Sequence, residues 1–478
     1  MDDVQEIWYL SEKGYQFLEK GDFGSAKTYF MDAASLAIHR QKISPRNHKK
    51  EYETVARSLM KLANDAHEQN FKQMKNALMI NESRRQKSIE SEMRDQIDQI
   101  HGKSFAIPLG TQYHSDKRIF WKPEKLMNGI MTITGGSGSG KTECLKMIAT
   151  ELTKRKIPVL LFDLHGNIEI DIPTISLDYT AQFSINPMEL TSKSVIDGGP
   201  IPHINKLMTQ FTYAISDRFS ATQKNWLRNL IKFSYYKHGI LQDDPSSWEN
   251  PAPNFEYLLN LVKNPESVFE LEENNEYKRY YELINTSTRL AIENRLAHIL
   301  EHPAFSGKTN IELDSLIEQP HRILLKPLNT IDMQFLAADT IMRQIFSTLV
   351  SKGHIDPDAK HGKFRMFIII DEVKILTGYR GTLNDPYHIL NRFATEARKF
   401  GLGLILASQV LGHFGRDIRS NAATKLILKT MDQDEAKKCS KELKIQLSEL
   451  TSLNKPGEGF LITSNKKDAR RIQLKRVS

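Results

Sequence analysis

The chain has 478 residues, 66 Lys and Arg against 58 Asp and Glu, and a net charge of +8. The charged fraction of 26% and apolar fraction of 40% are those of a globular protein with room for two or three domains. Two cysteines, Cys144 and Cys439, exclude a disulfide framework and match a reducing compartment. No apolar run approaches the roughly 20 residues that span a bilayer. Met1-Asp2-Asp3 lacks the basic and apolar regions of a signal peptide, so a cytoplasmic protein without membrane contact is expected. The pI near 9.1 leaves an anionic partner open.

The first hundred residues predict helices. Val4, Ile7, Trp8, Tyr15 and Leu18 recur at helical spacing, and Gly21-Asp22 breaks and recaps the chain. Phe23, Ala26, Phe30, Ala33 and Ala37 form a second stripe. Ser44-Pro45 is a cap with proline in the first turn, and Tyr52, Val55, Ala56, Leu59, Leu62 and Ala66 form a third stripe. This small three-helix domain, residues 1–75, resembles a MIT (microtubule interacting and trafficking) domain. That resemblance implies an adapter that docks a partner helix in a groove. A single tetratricopeptide-like hairpin and a plain helical cap are the alternatives. Residues 76–104 continue as a polar helical connector, as in Ser83-Arg84-Arg85-Gln86-Lys87.

From Phe105 the pattern becomes α/β. Ile107–Gly110 and Arg118–Trp121 predict short strands. The apolar run Ile130-Met131-Thr132-Ile133-Thr134 predicts a buried strand. A G-x-x-x-x-G-K-[ST] loop follows, Gly135-Gly136-Ser137-Gly138-Ser139-Gly140-Lys141-Thr142, and Glu143–Ala149 predicts a helix. In that context Gly136, Ser137, Gly138, Ser139, Gly140, Lys141, Thr142 and Glu143 form a phosphate cradle. Backbone N–H groups and the helix N-terminus face the anion, Lys141 reaches the β- and γ-phosphates, and Thr142 ligates Mg²⁺.

Ile157–Asp163 predicts a strand buried on both faces, the mark of a parallel sheet. It ends in Asp163-Leu164-His165-Gly166-Asn167. A helical insertion spans about residues 200–305, with a Pro/Asp-rich break at Gln242–Pro253. Arg322–Lys326 predicts a strand and Met333–Ser351 a helix. Met366-Phe367-Ile368-Ile369-Ile370 then runs into Asp371-Glu372. With the glycine loop, Asp371 holds the Mg²⁺ shell and Glu372 polarises the attacking water. Leu404–Ala407 ends in Ser408-Gln409, which puts the Gln409 amide near the γ-phosphate. Arg398, Arg416 and Arg419 are candidates for an arginine acting on a neighbour's nucleotide. Tyr379-Arg380-Gly381 is either a DNA-gripping channel loop or a solvated turn. The tail from Lys466 to Arg476 predicts an edge strand with basic flanks, where phosphate binding is one reading.

The order GGSGSGKT, FDLHGN, FSINPME, IIIDE, TEARKFGLGLILASQ and GEGFLI resembles the HerA/FtsK superfamily, nearest HerA and the VirB4-like ATPases, over residues 105–478. The resemblance implies a RecA-like P-loop NTPase core with a mainly parallel sheet, ATP and Mg²⁺ as cofactors, and catalysis by Lys141, Glu372 and Gln409 with Arg398 or Arg419. It also implies a homo-oligomeric ring, a hexamer, with DNA in its channel. HerA relatives accompany nucleases and other effectors, some in anti-phage systems, so a partner effector or nuclease is expected. Two features depart from the pattern: helices replace the usual N-terminal β-barrel, and Asn167 stands where an acid is usual. A protein-remodelling AAA+ ATPase and a nucleotide-gated scaffold that assembles an effector are the rival readings. Against the first, Asp371 lies much further past Lys141 than an AAA+ core allows.

Overall fold

The computed structural model describes residues 3–43, 49–66, 105–180, 182–190, 198–215, 219–264, 285–356, 363–377, 388–430, 432–466 and 468–475. The expected cap at Ser44-Pro45, the connector at 76–104 and the Tyr379–Gly381 loop lie outside them. The chain divides into two compact units, Met1–His101 and Gly102–Ser478.

In the first unit, helices Asp3–Glu19 and Phe23–Ile43 are followed by helical residues 49–66. Their core is small: Ile7, Phe30 and Leu59 among Ala26, Ala33, Ala34, Ala37, Ala56, Ala63 and Ala66. Alanine is the best helix former and lets backbones approach closely. Two residues expected in the stripes are exposed instead, Tyr15 at 51% and Val55 at 40%. Tyr15 lies at the margin, its ring edge-on to Phe30 at 5.2 Å.

The second unit is built on one eleven-stranded sheet: β1 (Ile107–Gln112), β2 (Arg118–Trp121), β3 (Ile130–Thr134), β4 (Val159–Asp163), β5 (Thr174–Ser176), β6 (His321–Leu324), β7 (Met366–Ile370), β8 (Leu402–Ser408), β9 (Thr424–Leu428), β10 (Glu458–Thr463) and β11 (Arg470–Leu474). The spatial order is β2-β1-β11-β10-β9-β3-β8-β7-β4-β6-β5. From β9 to β5 every pairing is parallel. From β9 through β10, β11 and β1 to β2 every pairing is antiparallel.

The parallel strands alternate between two cores. Met131, Ile133, Leu161, Phe367, Ile369 and Ile405 pack with Leu145, Ile148 and Leu152 of helix Lys141–Lys154 on one face. Ile130, Leu160, Phe162, Ile368, Ile370 and Leu406 meet the insertion on the other. With both faces covered, β3, β4, β7 and β8 are buried along their whole length and mostly apolar. The insertion comprises helices Pro200–Ala214, Ala221–Lys237, Phe255–Lys263 and Thr286–Leu300, and helix Ile331–Ser351 packs alongside. Ser220 and Gln223 close a capping box at the start of the second.

The tail corrects one expectation. β11 is not an edge strand: it bonds β10 on one side and β1 on the other. The edges are β2 and β5. Arg471 is structural, its guanidinium 3.9 Å from the Tyr113 ring centroid and hydrogen-bonded to the Ser452 carbonyl at 3.2 Å. A strand reads as an edge only until its far-off partner is known, and β1 comes from the opposite end of this unit.

Candidate functional site

The glycine loop hangs between two strands. Gly135 N–H donates to the Ser408 carbonyl at the end of β8 (3.2 Å), and Gly136 N–H to the Lys429 carbonyl just past β9 (2.8 Å). Helix Lys141–Lys154 starts at Gly140, whose φ of +98° is a conformation that suits glycine. The loop is braced from outside by Gly457 N–H, which donates to the Ser139 carbonyl at 2.9 Å. Ser137 and Gly138 are exposed, and Glu143 is exposed in the first turn of the helix. The Ser139 hydroxyl is buried and has no hydrogen-bond partner in the protein. Lys141 Nζ donates to the carbonyls of Gly135 (2.7 Å) and Gly136 (2.9 Å). Burial lowers its pKa, with Glu372 and Asp371 opposing.

The ends of β7 and β8 meet this loop, and the end of β4 lies beside that of β7. After β7, Asp371 Oδ1 accepts from Thr142 Oγ1 at 3.4 Å, although the residues are 229 positions apart. Burial and the neighbouring Asp163 raise the Asp371 pKa, and His165 opposes them. After β4, the buried Asp163 carboxylate accepts from the backbone N–H groups of Gly166, Asn167 and Ile168. It therefore shapes its own turn, and the Asn167 side chain is exposed. After β8, Ser408 Oγ donates to Glu372 Oε1 at 2.9 Å and Gln409 Nε2 to Glu372 Oε2 at 3.4 Å. Val373 N–H bonds the Ala407 carbonyl at 2.8 Å, tying the Asp-Glu turn to β8.

Sequence reasoning missed His413. Its Nδ1 lies 2.8 Å from Ser408 Oγ and 3.9 Å from Glu372 Oε1. Burial lowers its pKa, with Glu372 opposing. His413, His165, Gln334, Glu372, Lys374 and Gln409 are among the residues lining a cavity of about 460 Å³. No sequence spacing marks His413; the turn after β8 brings it back. The oxygens of Thr142 and Asp371 form a hard, incomplete set that fits Mg²⁺, which is held by few protein ligands plus phosphates and water. The buried, unpaired Ser139 hydroxyl beside Lys141 fits a phosphate cradle.

The candidate arginines do not join this cluster within the chain. Arg398 precedes β8, at the strand's far end, and lines a separate cavity of about 560 Å³ with Lys363, Phe364 and Lys399. Arg416 is exposed. Arg419 donates to the Gly415 carbonyl (3.2 Å) and pairs with Glu442 at 2.6 Å.

Residues 105–352, a little over half of the chain, match the family described as "Helicase HerA, central domain". The DNA double-strand break repair helicase HerA of Sulfurisphaera tokodaii is 24% identical over 316 residues, 64% of this chain and 56% of that protein. The DNA import protein CedB of Sulfolobus acidocaldarius is 21% identical over 313 residues, 65% of this chain and 45% of that protein. The chain thus spans about half the length of the curated relatives it matches. The solved structure of VirB4 of Thermoanaerobacter pseudethanolicus overlays with a TM-score of 0.60 at 18% identity, over 78% of this chain and 96% of that one, a likeness of fold. A mostly parallel sheet, a glycine loop between its strands and a family match over more than half the sequence give one conclusion: the chain belongs to the HerA family of P-loop ATPases, within the HerA/FtsK superfamily.

Proposed function

We propose that this chain hydrolyses ATP with Mg²⁺ and couples the cycle to movement along DNA, as a ring of identical subunits. The observation that carries the reading is the meeting of Thr142 Oγ1 with Asp371 Oδ1 at 3.4 Å, from loops far apart in sequence, beside Lys141 and Glu372. Bound Mg²⁺ would supply positive charge that offsets the negative charge developing on the transferring phosphoryl group. The N–H groups of Gly138 and Gly140 and the start of the helix hold phosphate. Lys141 exchanges its two carbonyl partners for phosphate oxygens. Thr142 and Asp371 would hold the ion. Glu372 accepts a proton from the attacking water, and Gln409, already on Glu372, orients that water. Arg398 or Arg419, neither near this chain's own loop, serves a neighbouring subunit. The names of the similar proteins, a repair helicase and a DNA import protein, support DNA as the substrate, as does the net charge of +8.

The first unit, MIT-like in pattern, docks an effector or nuclease partner, and an anti-phage role is one setting for such a pair. The test is ATP turnover with and without duplex DNA, with oligomer mass measured in parallel. DNA-stimulated turnover by a hexamer is expected; a monomer with no turnover overturns the reading. A chain beginning at Lys103 keeps ring and turnover. A fall to monomers would make the first helices an assembly element.

A further inference from the structure

We infer that Ser408 and His413 are positioning residues that hold Glu372 for catalysis through a single hydrogen-bonded relay, His413 Nδ1–H to Ser408 Oγ–H to Glu372 Oε1. The inference rests on Glu372 being the proton acceptor proposed above.

The argument is one of hydrogen-bond capacity. A serine hydroxyl has one proton to give and two lone pairs to accept with. Ser408 is fully buried, so water supplies none of these partners. Three groups lie within reach of its oxygen: Glu372 Oε1 at 2.9 Å, His413 Nδ1 at 2.8 Å and the Val410 N–H at 3.3 Å. The Val410 N–H can only donate, and an ionised carboxylate can only accept. The hydroxyl proton therefore belongs to Glu372, and the remaining lone pair takes a proton from His413. That assigns the imidazole its Nδ1–H tautomer. The opposite tautomer would draw the hydroxyl proton to His413 and leave Glu372 Oε1 without Ser408. Nδ1 also sits 3.9 Å from Glu372 Oε1, where a proton on that nitrogen is favoured by the carboxylate charge.

The relay leaves lone pairs free. Glu372 accepts from Ser408 on one oxygen and from Gln409 on the other, and a carboxylate has about four sites. The chain thus fixes the plane of the carboxylate and leaves a face for a water. Val373 N–H is bonded to the Ala407 carbonyl, so the Glu372 end of the relay is anchored to β8, and His413 N–H is bonded to the Val410 carbonyl in the turn that follows β8. Any shift of β8 or of the turn that carries His413 is transmitted to Glu372.

The test separates positioning from general structure. His413→Ala should lower kcat for ATP by about tenfold or more, the scale on which small misplacements act. Nucleotide affinity and melting temperature should stay near those of the parent. His413→Asn, whose amide N–H falls near the place of Nδ1, should restore most of the rate. Placed in Glu372→Gln, His413→Ala should add no further loss, since the group it positions is already gone. An unchanged kcat in His413→Ala overturns the inference while leaving the site reading intact. So does an equal loss in the Glu372→Gln background, or a failure of His413→Asn to recover where the fold is intact. If Glu372→Gln itself turns over at the parent rate, both readings fall.

Discussion

The two halves of the sheet obey different rules. On the parallel side, β3, β4, β7 and β8 have every residue buried. On the antiparallel side, β1, β2 and β11 mix buried and open positions. All the clustered chemistry (Lys141, Thr142, Asp371, Glu372, Ser408 and Gln409) stands at or just beyond carboxyl ends of parallel strands. Such strands all end on one rim, so loops from distant parts of the chain converge there. Among the described residues, the hydrogen bonds of that cluster include no side chain from the antiparallel half. It braces the loop through backbone: Leu474 N–H bonds the Gly457 carbonyl at 2.8 Å, and Gly457 N–H bonds Ser139. One half carries reactive groups, and the other holds their frame still.

Substitutions on the two sides should therefore fail in different ways. The largest effect belongs to the rim. Glu372→Gln should retain ATP while turnover falls by roughly 10²- to 10⁴-fold, the usual worth of a general base. Lys141→Ala should instead weaken nucleotide binding, and the melting temperatures of both should stay close to the parent's. Turnover and ATP-binding measurements check this; parent-rate hydrolysis by Glu372→Gln would remove the carboxylate from the mechanism.

An intermediate effect is expected in the brace. A Cβ on Gly459 would sit 2.4 Å from the Ile427 carbonyl oxygen, a backbone atom that can yield only if β9 and β10 part. Gly459→Ala should cost about 1–3 kcal/mol of stability, in the range of overpacked sites. It should lower the denaturant midpoint and leave kcat of the folded protein less changed than Glu372→Gln does. A variant as stable as the parent would show that the two strands are not tightly joined.

The smallest effect concerns the rim's own strain. Burial and Asp163 raise the Asp371 pKa, so the folded chain keeps this proton to higher pH than the unfolded chain. The group's contribution to stability is then full below the ordinary carboxylate pKa and is lost as pH rises through the raised value. Asp371→Asn removes that loss. Its midpoint should exceed the parent's at neutral pH, and the gap should close in acid. Equal midpoints at neutral pH would contradict the argument.

Sequence alone determined what is local. The GGSGSGKT loop carries its spacing and its glycines, and the runs before the loop, Asp163, Asp371 and Ser408 announce burial on both faces because they are apolar with no polar alternation, Thr132 and Thr134 being the exceptions. The helices of the first unit follow from 3.6-residue periodicity and from the Gly21-Asp22 break, and the insertion reads as mostly helical. Tyr15 and Val55 fit that periodicity yet stay exposed, because alanines fill the core and leave little room at its margin. Only the tertiary structure decided strand order. β11 reads as an edge until β1, from the other end of the unit, is seen beside it, and β9 and β5 carry too little apolar signal to stand out. It also decided the contact of Thr142 with Asp371 and that of His413 with Ser408. Periodicity records which side of an element is buried. It holds no record of which distant element covers that side, and that pairing creates the cluster around Glu372.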